Sequence, residues 1–317
     1  MNQMRAKPKS DDRIVPDFRL SSRIAAVSPS ATIAITSMTR ELRSQGVDVI
    51  GFGAGEPDFN TPEPIVRAAV EALQKGFTRY TASSGISELR LAIAQKLERD
   101  NHAIYQPEEI VVTVGAKQAL YSIFQVLLNP GDEVIVPAPY WVSYVDLPAL
   151  AHGTPVVCPL DDKNGFDLDP EAIERCISPS TRAVIINSPS NPTGAVFSRS
   201  AVEAVMEMAI KHGFLVITDE IYEKIVYGNA RSICPAGLGD DAWEHTLVVN
   251  GFSKAYAMTG WRLGFVAGPR AVIDAIGKFQ TQGTNNPTSF VQKAAVVAIE
   301  SSDEVFAPMI EEFRKRR

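Results

Sequence analysis

Lys254 sits in the run Gly251-Phe252-Ser253-Lys254-Ala255-Tyr256-Ala257-Met258-Thr259-Gly260-Trp261-Arg262-Leu263-Gly264, behind the apolar stretch Thr246 to Asn250, which reads as a buried strand. A lysine wedged among small residues loses hydration. That disfavours its charged form and leaves a nucleophilic amine, able to condense with an aldehyde. Arg262, in the same run, can hold an anion on the same small molecule. A surface lysine in a glycine-rich turn is the plain alternative. Asp219 ends a second apolar run, Phe214 to Thr218, where an unpaired carboxylate is expensive. A cationic partner is therefore expected, and an ordinary arginine would serve. Gly115 and Ala116 stand between a strand pattern and a helical one, where free N–H groups form an anion site suited to phosphate. Strand–glycine–helix junctions are common, so this signal gains weight only beside Arg262. Trp141, in Pro139-Tyr140-Trp141, is either core or a stacking platform. Asn187-Ser188-Pro189-Ser190-Asn191-Pro192-Thr193-Gly194 is dense in turn formers. Gly51-Phe52-Gly53-Ala54-Gly55 lacks the spacing and the βαβ setting of a dinucleotide fingerprint.

Such residues need rigid elements behind them, and the sequence supplies an alternating set. Short β-rich runs predict strands at 110–114, 133–136, 182–187, 214–218, 246–250 and 263–267. Thr61-Pro62-Glu63 predicts a helix start, with Thr61 as N-cap and Gly76 as the stop. Leu89, Ile93 and Leu97 recur at helical spacing between Ser87 and Asp100. Val202, Val205, Met206 and Ala209 give an amphipathic helix over 201–212, closed by Gly213. Ser302 to Arg317 reads as one further helix. This alternation predicts an α/β fold with a mostly parallel central sheet and helices on both faces. Ligands of such sheets lie beyond the carboxyl ends of the strands. Gly115 to Lys117, Trp141, Asn191, Asp219 and Lys254 all fall there, which scattered polar residues would not do.

Composition narrows the class. With 317 residues, 45% hydrophobic and 21% charged, the chain has the make-up of a soluble globular protein with room for two domains. A formal charge of −6 argues against a nucleic-acid surface. Cys158, Cys176 and Cys234 are odd in number and widely spaced, neither a disulfide framework nor a zinc pattern, so reduced thiols in the cytoplasm and no metal are expected. No apolar run reaches the length of a membrane span. Residues 1–20 are polar and mixed in charge and read as a flexible tail without a secretory signal.

The Lys254 segment, the Asn191 motif, Arg23, Pro29-Ser30-Ala31-Thr32 and Gly55-Glu56-Pro57-Asp58-Phe59 together resemble the class-I aminotransferases, fold-type-I enzymes that use pyridoxal 5'-phosphate. The likeness covers about residues 21–317 and lies nearest the bacterial-type aspartate/prephenate branch. It implies transfer of an amino group between an amino acid, aspartate or glutamate, and a 2-oxo acid. Kynurenine and glutamine transaminases, β-lyases and aminocyclopropane carboxylate synthases share the cofactor residues and form the rival reading; an inactive, truncated paralogue is another. The resemblance implies a 21–49 segment of a small domain, a cofactor-binding large domain over 50–300, and an interdomain helix beginning at 301–317, after which the small domain is incomplete. The arginine that binds the substrate α-carboxylate in the family lies beyond Arg317, so the polypeptide is expected to be a poor catalyst by itself.

Roles carry over by position. Lys254 matches the lysine that carries the cofactor and then acts as general base. Asp219 matches the partner of the ring nitrogen, and Asn191 and Tyr222 the partners of the phenolic oxygen. Trp141 matches the residue stacked on the ring. Gly115, Ala116, Ser253 and Arg262 match the phosphate cradle. Tyr80 matches a tyrosine that reaches the phosphate of a neighbouring subunit, which implies a homodimer with shared sites. Gly55, Lys117, Trp141 and Asn191 match substrate contacts, with Lys117 the reader of an acidic side chain. Three departures stand out. The run from Lys278 to Asn286 lacks the arginine that the animal and classical bacterial aspartate enzymes use for the distal carboxylate, which is why Lys117 is the candidate here. Gly251 replaces a phosphate-binding serine of the animal aspartate enzymes, and Ser28 replaces a lysine implicated in prephenate handling.

Overall fold

β-Branched and apolar runs build one sheet. Its strands are β1 (Ile110–Thr113), β2 (Glu133–Ala138), β3 (Thr154–Pro159), β4 (Thr181–Asn187), β5 (Leu215–Asp219), β6 (Thr246–Gly251) and β7 (Gly264–Ala267), in the spatial order β1-β7-β6-β5-β4-β2-β3. The computed structural model describes residues 19–25, 27, 31–53 and 55–317. The tail expected at 1–20 falls outside them except for Arg19 and Leu20, and so do Ser28, Pro29 and Ser30. Neighbouring strands pair in parallel, except that β7 runs antiparallel to both β1 and β6. The sheet is thus mostly parallel, as the alternation of elements implied. β3 escaped the sequence reading: it is a partly exposed edge strand carrying Pro155 and Pro159, residues that an edge tolerates and that break up the apolar run marking a buried strand.

Side chains alternate between two covered faces, because successive residues of a strand point opposite ways. On one face, Val111, Val134, Ala183, Ile185, Ile217, Leu247, Val249 and Val266 pack with Leu120, Phe124, Tyr144 and Ile276 from helices Ala116–Leu127, Ser143–Leu150 and Arg270–Gln282. On the other, Val112, Val248 and Phe265 meet Leu89, Ile93 and Leu97 of helix Ser87–Asn101 and Ala294 of helix Ser289–Glu300. Val184, Ile186 and Val216 on this second face meet Val202, Val205 and Met206 of helix Arg199–His212. That last helix starts slightly earlier than its apolar spacing suggested, because Ser198 caps it, accepting from Ala201 N–H. Gly213 closes it in the left-handed region.

Two local expectations fail. Thr61 is not an N-cap: the helix runs Glu63–Gln74, with Pro62 at the cap position and no side-chain cap. Thr61 instead donates to the Ala257 carbonyl at 2.6 Å and accepts from Trp261 Nε1 at 2.9 Å, fastening this segment to the Lys254 run. The last helix is also broken. A 3-10 turn, Asp303–Val305, precedes helix Ala307–Arg316, with Phe306 buried between them and Pro308 in the first turn. No helix of the described residues is long and apolar enough to cross a membrane.

Candidate active site

β5 and β6 end side by side, and the loops beyond them meet those after β1, β2 and β4 around a cleft of about 750 Å³. Its lining includes Gly55, Ala116, Lys117, Trp141, Asn191, Asp219, Tyr222, Ser253, Lys254 and Arg262. Residues far apart in sequence converge here because the parallel strands all deliver their carboxyl ends to one rim. β7 contributes its amino end, being reversed, so Arg262 arrives at the same rim on the loop that leaves β6.

Lys254 is half-buried, and its Nζ donates to the Gly55 carbonyl at 2.5 Å. Burial pulls its pKa below the ordinary value; Glu56 opposes this and Arg262 adds to it. The amine is therefore pushed towards its nucleophilic form by its surroundings. Lys117 is shifted the same way, chiefly by burial and then by Arg262. Its Nζ lies 4.7 Å from the centre of the Trp141 ring.

Asp219 is 3% exposed. Burial pushes its carboxyl up to about 6, against the pull of hydrogen bonds from the Tyr144 hydroxyl at 2.8 Å and the Ile221 N–H at 3.3 Å. The arginine that could have paired with it is not there: among the described residues, no Lys or Arg forms an ion pair with Asp219. Tyr144 is the residue that sequence reasoning missed. It is buried on helix Ser143–Leu150, edge-on to Trp141 at 5.4 Å, and its place three residues after Trp141 was the available signal. Tyr222 is pushed up to about 12 by burial and by Asp219, while a hydrogen bond with Asn191 works the other way. The Asn191 N–H is itself held by Asn187 Oδ1 at 2.8 Å, and Asn187 Nδ2 donates to the Asp219 carbonyl at 2.9 Å.

The rim around Arg262 is built by close approach. Gly115 (φ +86°) leads into helix Ala116–Leu127, and a Cβ there would stand 2.6 Å from Arg262 Nη2. A side chain here would be strained at that φ and would crowd the guanidinium, so glycine suits this helix N-terminus, where N–H groups and the helix dipole add to the charge of Arg262. Arg262 also donates to the Thr259 carbonyl at 3.0 Å, and Thr259 donates to Glu56. Ser253 lines the cleft beside Lys254. Tyr80 is not brought to the cleft; its side chain is 88% exposed.

Residues 47–317 match the family model of class I and II aminotransferases. The chain belongs to that family. As an aminotransferase it is 47% identical over 299 residues to the aspartate aminotransferase of Geobacillus stearothermophilus, covering 94% of this chain and 76% of that one. It is 48% identical over 299 residues to the aspartate/prephenate aminotransferase of Cereibacter sphaeroides, with 94% and 75% covered. Among solved structures, the Thermus thermophilus aspartate aminotransferase with maleate superposes with a TM-score of 0.89 at 45% identity, over 94% of this chain and 76% of that one. The Rhizobium meliloti aspartate aminotransferase gives 0.91 at 42%, over 94% and 75%. The catalysed chemistry is amino-group transfer.

Proposed function

We propose that this aminotransferase uses pyridoxal 5'-phosphate to move the amino group of aspartate or glutamate to a 2-oxo acid, as a cytoplasmic homodimer whose large domain spans residues 50–300. The buried Asp219 carboxylate carries the reading. It faces the cleft without a cationic partner from the protein, and the protonated ring nitrogen of pyridoxal phosphate is the charge that would satisfy it. The rest of the cleft fits the same molecule. A deprotonation-prone amine at Lys254 suits the aldehyde. Arg262 with the Gly115–Ala116 turn suits the phosphate, helped by Ser253. Tyr222 and Asn191 suit the phenolic oxygen, and the Trp141 ring suits stacking.

Bound there, pyridoxal phosphate supplies an electron sink for the pair left on the amino acid's Cα. The protein's own groups do the rest. Lys254 Nζ would be the amine that holds the cofactor through its aldehyde, and as a free amine it would be the base that moves the proton off Cα. Asp219 keeps a proton on the ring nitrogen. Asn191 and Tyr222 hold the phenolic oxygen in its anionic form. Lys117, at the rim over Trp141, reads the acidic side chain, and Gly55 meets the α-carboxylate through its backbone. Tyr80 reaches the phosphate of the partner subunit.

Absorbance spectra of the protein with pyridoxal phosphate, before and after aspartate, test the proposal against Lys254→Ala. The expected result is a visible band that requires Lys254 and disappears on adding aspartate. A band that survives in Lys254→Ala, or no band at all, refutes the assignment.

A further inference from the structure

Behind the cleft, on the opposite face of β5, lies a second set of buried charges that the proposed chemistry does not use. Lys96 of helix Ser87–Asn101 is 2% exposed and pairs with Glu223, itself almost fully buried. Lys96 Nζ also donates to Asn101 Oδ1 at 2.7 Å. Asn101 Nδ2 in turn donates to Glu220 Oε2 at 2.8 Å and to Glu223 Oε2 at 3.0 Å. Glu220, 1% exposed, also accepts from the Thr218 hydroxyl at 3.1 Å and from the Cys234 thiol. Burial, with Glu223 beside it, raises the Glu220 carboxyl well above its ordinary range. At the rim, Lys224 bonds Asp303 at 2.7 Å and lies 3.5 Å from Asp100, and Tyr105 and Tyr256 flank the set with raised pKa values from burial.

A buried ion cluster is a costly way to fill a core. Apolar side chains of the same volume commonly do as well or better, and Ile93 and Leu97 on the same helix do that here. What the cluster grips is informative. Asp219 and Tyr222 point into the cleft, whereas Glu220 and Glu223, each next along the chain, point back to Lys96 and Asn101. The turn therefore has one pair of side chains forward and the other pair anchored to a helix. The cluster also borders Asn250 and Gly251, where β6 hands over to the Lys254 loop.

We propose that Lys96 and Asn101 are positioning residues for the active site: by gripping Glu220 and Glu223 they fix the turn on which Asp219 and Tyr222 stand. The inference rests on the reading of that cleft as a pyridoxal phosphate site, and its test separates the two. Lys96→Met and Glu223→Gln are compared with wild type in the 317-residue chain by three measurements. These are hydrogen exchange of the 220–225 amides without cofactor, pyridoxal phosphate affinity by absorbance titration, and the pH midpoint of the Lys254-dependent band. Lys96→Met should speed exchange across 220–225 and weaken affinity about tenfold or more, since displacements near ~1 Å cost that much at a preorganised site. Glu223→Gln keeps the shape and an oxygen for Lys96, so it should fold and weaken affinity by a smaller factor, about threefold.

A folded Lys96→Met protein with wild-type affinity overturns the proposal, whatever its exchange rates. Where Lys96→Met does not fold, Glu223→Gln decides: wild-type affinity there overturns it. Midpoints that move in opposite directions with affinities intact would mean a distant charge effect only, and also overturn it. Should wild type itself bind no pyridoxal phosphate, the cofactor reading fails. The grip is then judged by exchange alone, with unchanged rates in Lys96→Met counting against it.

Discussion

Replacing Asp219 with asparagine should make the cofactor-free protein more stable while damaging its function. The buried carboxyl titrates at about 6 against an ordinary 3.8. At ~1.36 kcal/mol for each tenfold in proton affinity, ionising it costs the folded state about 3 kcal/mol. The sign follows from the raised pKa. The stability associated with the protonated form is fully present below 3.8 and is lost as pH rises through about 6. At about pH 8 the wild type bears the whole penalty, and at about pH 5 roughly half of it. The substituted side chain would carry no charge. Its amide oxygen can still accept from the Tyr144 hydroxyl, but the Ile221 contact is lost, at about 1 kcal/mol. The net gain at pH 8 is then about 2 kcal/mol, or about 3 °C in Tm for a chain of 317 residues. Calorimetry of Asp219→Asn and wild type at pH 8 and pH 5, each with and without pyridoxal phosphate, gives the answer. The variant should melt higher without cofactor, with its advantage reduced to about a quarter at pH 5, since the lost Ile221 contact costs the same at both pH values, and should gain less than wild type from added cofactor. A cofactor-free variant that melts at or below wild type at pH 8 refutes the argument that Asp219 is a strained, ligand-seeking charge.

Three further outcomes are expected. Gly115→Ala places a Cβ against Arg262 at φ +86°, so it should cost about 1–2 kcal/mol of stability and weaken binding of pyridoxal phosphate but not of phosphate-free pyridoxal; titrations with the two ligands check this. Gly251→Ser puts a side chain 3.0 Å from Gly264 Cα and from the Leu263 carbonyl; thermal melts should show a loss of about 1–3 kcal/mol with no gain in phosphate affinity. Lys117→Met should lower kcat/KM for aspartate by about tenfold to a hundredfold, the worth of one charged hydrogen bond, and leave a neutral amino acid within a factor of a few; steady-state assays with both substrates discriminate.

Much of this architecture could be read from the chain because its central strands are buried on both faces. Ala183 to Ile186 and Leu247 to Val249 are continuous apolar runs for that reason, and such runs are visible in the sequence. β3 was not legible for the opposite reason: at an edge, prolines and half-exposed residues are tolerated, so no run forms. The cleft residues were legible where they follow strand ends, as Asp219 and Lys254 do. Tyr144 was not, since it meets Asp219 only through the docking of a helix on the sheet, a contact between positions 75 residues apart. The same holds for Thr61: its type and its neighbour Pro62 suit a cap, but tertiary contacts with Ala257 and Trp261 won its hydrogen bonds. Lys96 left no trace in the pattern either, because it occupies a core-facing position that periodicity assigns to an apolar residue.

The reversal of β7 has one more consequence. Because β6 and β7 are antiparallel neighbours with Gly251 opposite Gly264, the loop carrying both Lys254 and Arg262 is closed at its base by ladder hydrogen bonds. Both side chains are thus mounted on a single short arch, whose two ends are held together by the β6–β7 pairing. Under the proposed reading of the cleft, such an arch would act as a gauge: a ligand would be accepted when the span from its aldehyde to its anion matches the arch, and homologues one bond longer or shorter should bind less well.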